Sequence, residues 1–257
     1  MTVPGSVGIE VDDEGIAVVT ISQPRRRNAM TYPMMAELFD AFARADADPA
    51  CRVVVLTGDA GTFCSGTDLT FLADIPAEQR GFRGRLHDDE GWWNITAVSV
   101  PVIAAVDGDA VGMGAEWTSM CDVRIATARA RFAWNFVHRG LVPDTGAGTW
   151  LLPRLVGVQT AMKLLMSGDF WSAQEAFEAG YVDALVEPDQ LMDAAREQAR
   201  SFLRGLPEAQ ARTKRLLYDG MARGPLDHQR ASRAQLLACF ASDEHARGLA
   251  DFVDRTP

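Results

Sequence analysis

Two short turns hold the residues of this 257-residue sequence best suited to chemistry. Cys64-Ser65-Gly66-Thr67-Asp68 follows an apolar run ending near Leu56, and Gly112-Met113-Gly114-Ala115-Glu116 follows another ending near Val106. Both read as strand-to-helix junctions, which in a parallel sheet collect along one edge. The first turn of each helix offers backbone N–H groups with no helical partner, and such groups favour a developing negative charge. One amide from each turn could form an oxyanion hole. The same glycines also serve simply to let the chain turn tightly. Cys64 stands beside the first turn, but no histidine has a recognisable pairing with it, so it reads as apolar filler rather than a nucleophile.

The flanking sequence supplies elements able to bring these turns together. Residues 7–10 and 16–21 read as strands of a hairpin around Asp12-Asp13-Glu14-Gly15. Met35, Leu38, Phe39 and Phe42 recur at helical spacing, and a strand over 52–56 follows. Residues 101–106 form an apolar run of buried-strand length, followed by the Gly-rich 108–114 and another helix. The alternation predicts an α/β fold with a mostly parallel sheet. Beyond Asp144, the segments 155–166, 172–179, 188–203, 207–221 and 226–252 read as helices. We therefore expect an α/β core over residues 1–200 and a helical region over 201–257. Leu236, Leu237, Phe240 and Phe252 are more apolar surface than a small helical appendage can bury alone, so the core or a second subunit must cover them.

Composition narrows the partners. With 25 Lys+Arg against 35 Asp+Glu the formal charge is −10, which argues against nucleic acid or an anionic membrane. The opening MTVPGSVGIE lacks a signal-peptide pattern and no apolar run reaches membrane-spanning length, so the expected location is cytoplasmic. The four cysteines are scattered without CxxC spacing, so reduced thiols and no metal site are expected. Arg25-Arg26-Arg27 is the densest basic run, either a solvated loop or a place where arginine forks meet phosphate oxygens. The glycines between Gly108 and Gly114 also fit a nucleotide-binding turn. They lie mid-chain, no Tyr-x-x-x-Lys is present, and Glu116 would face a pyrophosphate, so an NAD-dependent dehydrogenase is disfavoured. P-loop and Gly-x-Ser-x-Gly signatures are absent.

Residues 24–30, 53–69 (VVVLTGDAGTFCSGTDL), 101–126 (PVIAAVDGDAVGMGAEWTSMCDVRIA) and 140–157 (GLVPDTGAGTWLLPRLVG), with the pattern of the C-terminal end, resemble the enoyl-CoA hydratase/isomerase, or crotonase, superfamily. The resemblance spans nearly the whole chain. It implies a spiral of ββα units with a helical C-terminal trimerisation region, assembled as a homotrimer or hexamer. The implied ligand is an acyl-CoA thioester, with coenzyme A a part of the substrate rather than a separate cofactor. Its carbonyl would be held by the backbone amides of Thr67 and Met113, the latter replacing the usual glycine at a position that needs room and an allowed φ. Arg25, Arg26, Thr67, Asp68 and Leu69 match the positions that contact CoA.

Hydratases of the superfamily use two glutamates, one activating water and one delivering a proton. Glu116 matches the first, whereas Phe136 stands where the second is expected, and a phenyl ring exchanges no proton. Asp144 matches a position that is functional in some isomerases and a dehalogenating member, although it also suits the cap of a helix over 146–152. With Glu116 and Asp144 as the catalytic carboxylates, isomerisation is expected ahead of hydration. An enoyl-CoA hydratase and a non-catalytic acyl-CoA-binding protein are the alternatives. Trp92, Trp93, Trp134 and Phe136 could line an acyl pocket, and His138 reads as a partly exposed loop residue.

Overall fold

The computed structural model describes residues 5–76 and 94–254. It opens with the expected hairpin, β1 (Ser6–Val11) and β2 (Ile16–Ser22), whose turn is closed by Asp12 accepting the Glu14 and Ile16 N–H groups at 3.0 Å. Thr31 then accepts the Met34 N–H and starts α1 (Tyr32–Ala47), whose buried face includes Met35, Leu38 and Phe42. Next come β3 (Val53–Gly58), α2 (Leu69–Asp74), α3 (Asn94–Ala97), β4 (Val102–Val106), β5 (Asp109–Val111) and α4 (Met113–Met120). After them run β6 (Val123–Thr127), β7 (Arg131–Ala133), α5 (Leu152–Val156), α6 (Val158–Ser167), β8 (Trp171–Ser172), α7 (Ala173–Glu178), β9 (Ala184–Val186) and α8 (Leu191–Leu203).

Two sheets result. The larger has the order β1-β2-β3-β4-β6-β9 and is parallel except for the opening hairpin; the smaller has the order β5-β7-β8. The pairs β4–β5 and β6–β7 each divide their strands between the two sheets, which is the expected spiral of ββα units. Alternate residues of the large sheet are buried on opposite faces. Ile16, Val53, Val55, Ile103 and Ile125 pack beneath Leu191, Ala195 and Ala199 of α8, while Ala17, Val19, Val54, Leu56 and Val106 join the cluster entered by α1 and α4. Coverage on both sides explains why these strands read as continuous apolar runs instead of alternating ones.

The C-terminal helices are α9 (Pro207–Gly220), α10 (Pro225–Phe240) and α11 (Asp243–Asp254). Asp122, between α4 and β6, ties α9 to the core. Its carboxylate accepts the Lys214 ammonium at 2.7 Å, the Tyr218 hydroxyl at 2.8 Å and the Val102 N–H at 2.7 Å, and Lys214 also donates to Val100 O at 2.9 Å. Leu236, Leu237, Phe240 and Phe252 remain more than half exposed, so the core does not cover them. Among the described residues no helix is long and apolar enough to cross a membrane.

Three segments depart from the sequence reading. The helix expected over 155–166 is two, because Gly157 adopts φ 80° between α5 and α6. The one expected over 226–252 breaks into α10 and α11 where the Ser242 hydroxyl accepts the His245 N–H at 3.2 Å and caps the second helix. The Gly-rich 108–114 contains the strand β5, whose three residues are too few to show a period.

Removing the Asp122 carboxylate leaves the Lys214 ammonium nearly buried without its counter-charge. Asp122→Ala should therefore lose about 3 kcal/mol of stability. Denaturant unfolding checks this, and a loss below about 1 kcal/mol would contradict the role given to Asp122.

Candidate active site

β3 and β4 are parallel neighbours, so the turns that follow them leave the same edge of the sheet. Backbone hydrogen bonds then stitch the turns together: the Cys64 N–H donates to Asp109 O at 3.0 Å and the Val111 N–H to Cys64 O at 2.9 Å. Gly66 has φ 97°, and a methyl group there would lie 2.8 Å from Val111 O and 3.6 Å from Met113 N. A methyl group on Gly114 would lie 2.2 Å from Cys64 O. The close approach of the two turns thus requires glycine at both positions.

Gly112 starts α4 with φ 54° and ψ −115°, so the unusual backbone conformation falls on a glycine. Among the described residues, positive φ outside glycine is confined to Arg27, Asn28 and Ala60, and Met113 itself is helical with a buried side chain. The methionine therefore keeps the amide in place without strain. Neighbouring amides are occupied, that of Asp68 by Met30 O at 2.9 Å and that of Gly112 by Ala133 O at 2.7 Å. Among the described residues neither the Thr67 nor the Met113 N–H has an acceptor. Two unpaired amides on abutting turns can receive one oxygen that gains negative charge.

Glu116 lies in the first turn of α4, a helix whose residues are all buried, and is itself 0% exposed. Its Oε2 accepts a hydrogen bond from the Thr145 hydroxyl, and its Oε1 is buried without a partner. Burial raises its pKa from 4.5 to about 7; the Thr145 hydroxyl and Gly148 N–H oppose the rise, the negative charge of Asp144 adds to it, and the Trp134 indole opposes it. A carboxyl shared between its two protonation states near neutral pH is suited to give or take a proton.

Thr145 leads into a π-helical turn, Ala147–Leu151. Its hydroxyl accepts the Ala147 N–H at 3.1 Å, so Thr145, and not Asp144, satisfies that backbone donor. The half-buried Asp144 instead brings a second carboxylate whose field reaches Glu116. Gly148 packs so tightly on Glu116 that a methyl group there would lie 2.4 Å from Oε1 and 3.1 Å from the Trp134 ring. Trp134 is fully buried, edge-on to Tyr181 at 5.7 Å. Phe136 is buried as well and contributes no acid or base. Trp92 and Trp93 lie outside the described residues. His138 is exposed, its Nε2 2.6 Å from Ser167 O. Cys64 is fully buried with its thiol pushed up to about 12 by burial, which fits filler and not a nucleophile.

The arginine loop is joined to the first turn. Asn28 anchors it from a fully buried position, accepting the Gln23 N–H at 2.8 Å and donating to Asp59 O at 2.8 Å and Thr62 O at 2.6 Å. The Ser65 N–H and hydroxyl donate to Arg27 O and Arg26 O at 3.0 and 3.1 Å. Arg26 meets the Asp68 carboxylate at 3.1 Å and also donates to the Thr70 hydroxyl. Burial pushes the Asp68 carboxyl up, but the Thr70 hydroxyl, the Phe71 and Thr70 N–H groups and Arg26 outweigh it and hold the group below its usual range. Asp68 was expected among the CoA contacts. Its carboxylate holds Arg26 and caps α2, its N–H is taken by Met30, and its carbonyl accepts the Leu72 N–H, so its polar groups are engaged within the fold. Arg25 and Arg26 are exposed beside it, as is Leu69.

Thr145, Gly148 and Asn28 escaped the sequence reading. The signal for the first two was the run Asp144-Thr145-Gly146-Ala147-Gly148, in which only the aspartate drew notice. Together the site places a buried carboxyl that titrates near neutral pH on the helix opening at Met113, with two backbone amides without acceptors on the abutting turns, a set of groups able to exchange a proton and to receive an oxygen that gains charge.

Comparison with known proteins agrees. Residues 12–257 match the model of the enoyl-CoA hydratase/isomerase family, to which the chain belongs. It is 33% identical over 245 residues to a crotonyl-CoA hydratase of Syntrophomonas wolfei, covering 95% of this chain and 93% of that one. It is 31% identical over 249 residues to a short-chain-enoyl-CoA hydratase of Clostridium acetobutylicum, covering 95% and 94%. Among solved structures, the enoyl-CoA hydratase from Bacillus anthracis superposes with a TM-score of 0.91 at 28% identity, covering 98% of each chain. The fold is the crotonase fold, and the protein is an acyl-CoA-transforming enzyme of that superfamily.

Gly148→Ala should crowd Glu116 Oε1, with an overpacking cost of about 2 kcal/mol and a fall in activity. Thermal unfolding and turnover measured together check this. A variant with unchanged Tm and unchanged rate would show that the close approach does not matter.

Proposed function

We propose that the enzyme hydrates an enoyl-CoA thioester. The observation that carries this reading is the buried Glu116 carboxyl, with a pKa of about 7, next to two unpaired amides. The thioester oxygen accepts from the Thr67 and Met113 N–H groups as it gains charge. Water adds its oxygen to the β carbon and loses a proton to the Asp144 carboxylate, and Glu116, whose raised pKa suits it to give a proton rather than to activate water as the resemblance implies, delivers its own proton to the α carbon. Proton return from Asp144 to Glu116 restores both groups. Arg25, Arg26 and Leu69 form the CoA contact surface, with guanidinium groups on phosphate oxygens. The names of the relatives support hydration over the isomerisation expected from the sequence.

One observation favours isomerisation as a second reading. Phe136 occupies the place of the second glutamate and is buried, so no carboxylate there holds a water. Glu116 and Asp144 would then carry a proton between the α and γ carbons of a dienolate.

Turnover of enoyl-CoA substrates in deuterated water separates the two. Hydration gives 3-hydroxyacyl-CoA, and Glu116→Gln and Asp144→Asn should each slow it by roughly 10²–10⁴-fold. Exchange at the α and γ carbons without hydroxy product would establish isomerisation instead. Tight acyl-CoA binding with neither product would identify a binding protein. The exposed Leu236, Leu237, Phe240 and Phe252 support assembly as a trimer or hexamer. Light scattering should give three or six times the chain mass of 28.0 kDa, and a monomer alone would contradict it.

A further inference from the structure

We infer that Thr145 is a positioning residue that sorts the two oxygens of Glu116, holding Oε2 as a fixed acceptor so that the exchangeable proton is carried at Oε1. The inference rests on the reading of Glu116 as the proton-exchanging group and assigns which of its atoms does the exchange.

The argument starts from the single hydrogen of a hydroxyl group. The Ala147 N–H donates to Thr145 Oγ1 at 3.1 Å, which occupies one lone pair and turns the hydroxyl hydrogen toward its other neighbour, Glu116 Oε2. Oε2 therefore receives a proton it does not own. If the Glu116 proton sat on Oε2, the Thr145 hydroxyl would have to offer its second lone pair to that proton and turn its own hydrogen away from the Oε2 acceptor, an arrangement that costs a hydrogen bond. The protonated form consequently keeps its hydrogen on Oε1, and the ionised form retains its one strong hydrogen bond at Oε2. Oε1 is buried and receives no hydrogen bond of normal geometry among the described residues, the Gly148 N–H and Trp134 indole acting on the carboxylate only as nearby dipoles, and the room around it exists because residue 148 has no side chain. One oxygen is anchored and the other is left for chemistry.

The surrounding charges do not blur this assignment. Of the elements packed on α4, β5 carries Asp109, which is paired with Arg131 at 2.8 Å and Arg27 at 3.9 Å. The π-helical turn and α3 carry no titratable group. Asp144, the chain neighbour of Thr145, acts on Glu116 through its charge and raises its proton affinity.

The test uses the whole protein with carbon-13-labelled glutamate, the Glu116 carboxyl bands being identified by subtracting the spectrum of Glu116→Gln. Infrared titration of Thr145→Val should move the Glu116 midpoint upward by about 1–2 pH units, because a donor to the charged form is lost. The carbonyl band of the protonated form should rise in frequency, since Oε2 no longer accepts a hydrogen bond, and Thr145→Ser should restore both. The acidic or basic limb of kcat/KM that reports Glu116 should shift with the midpoint, with KM changing less than kcat. If the valine variant does not fold, Thr145→Ala removes the same donor without adding a methyl group. A folded variant with the wild-type midpoint and band would overturn the inference. Failure of the wild type to turn over any enoyl-CoA would overturn the functional reading alone, because the infrared titration decides the role of Thr145 without turnover.

Discussion

Glu116 has no exposed surface, and a carboxyl in that position must either be neutral or find donors inside the protein. The Thr145 hydroxyl, with the Gly148 N–H and the Trp134 indole, favours the charged form but does not outweigh burial, so the group titrates near neutral pH instead of near 4.5. Much of the local architecture follows from seating this carboxyl. The π-helical turn brings Thr145 and Gly148 against it, Gly148 has to be a glycine, and Trp134 is held beside it by its edge-on contact with Tyr181. Because Glu116 belongs to the first turn of α4, the same placement exposes the Met113 amide at the start of that helix.

The second amide depends on the first turn being drawn against the second. Hydrogen bonds through Cys64 and the bare α carbons of Gly66 and Gly114 achieve that approach, and the arginine loop is fastened to the same unit through Ser65 and Asn28. The basic segment and the amide cradle are thus two ends of one hydrogen-bonded assembly. Parallel alignment of β3 and β4 is the deeper cause, since it delivers both turns to one sheet edge. On the far side of the fold, Asp122 performs an analogous fastening of α9 by facing Lys214 and Tyr218.

Much of this was legible in the sequence where the cause is local. A glycine that must adopt a positive φ, an apolar run of strand length and a helix face at i, i+3, i+4 spacing announce themselves in a few residues, and so the two turns, the hairpin and α1 were found. Glu116 was legible through the resemblance, which matches the turn over 112–116 to a superfamily motif ending in a glutamate. Thr145, Gly148 and Trp134 meet Glu116 only in three dimensions, across 29, 32 and 18 positions, and no local pattern carries that contact. Asp68 shows the opposite difficulty, a residue in a recognisable motif whose polar groups turn inward to hold Arg26. The breaks at Gly157 and Ser242 were each written in one residue inside long helical patterns. The preference for isomerisation came from Phe136, a real departure at one position, whereas the named relatives favour hydration and Asp144 offers a second carboxylate from another segment.

A crystal structure with a bound, unreactive acyl-CoA analogue tests the central claim most directly, because every role assigned above converges on one carbonyl group. The account predicts the thioester oxygen about 2.7–3.1 Å from both the Thr67 and the Met113 nitrogen. It also predicts the α carbon beside Glu116 Oε1, with Thr145 still on Oε2. A thioester bound with its carbonyl away from either amide, or with Glu116 turned from the acyl group, would contradict it.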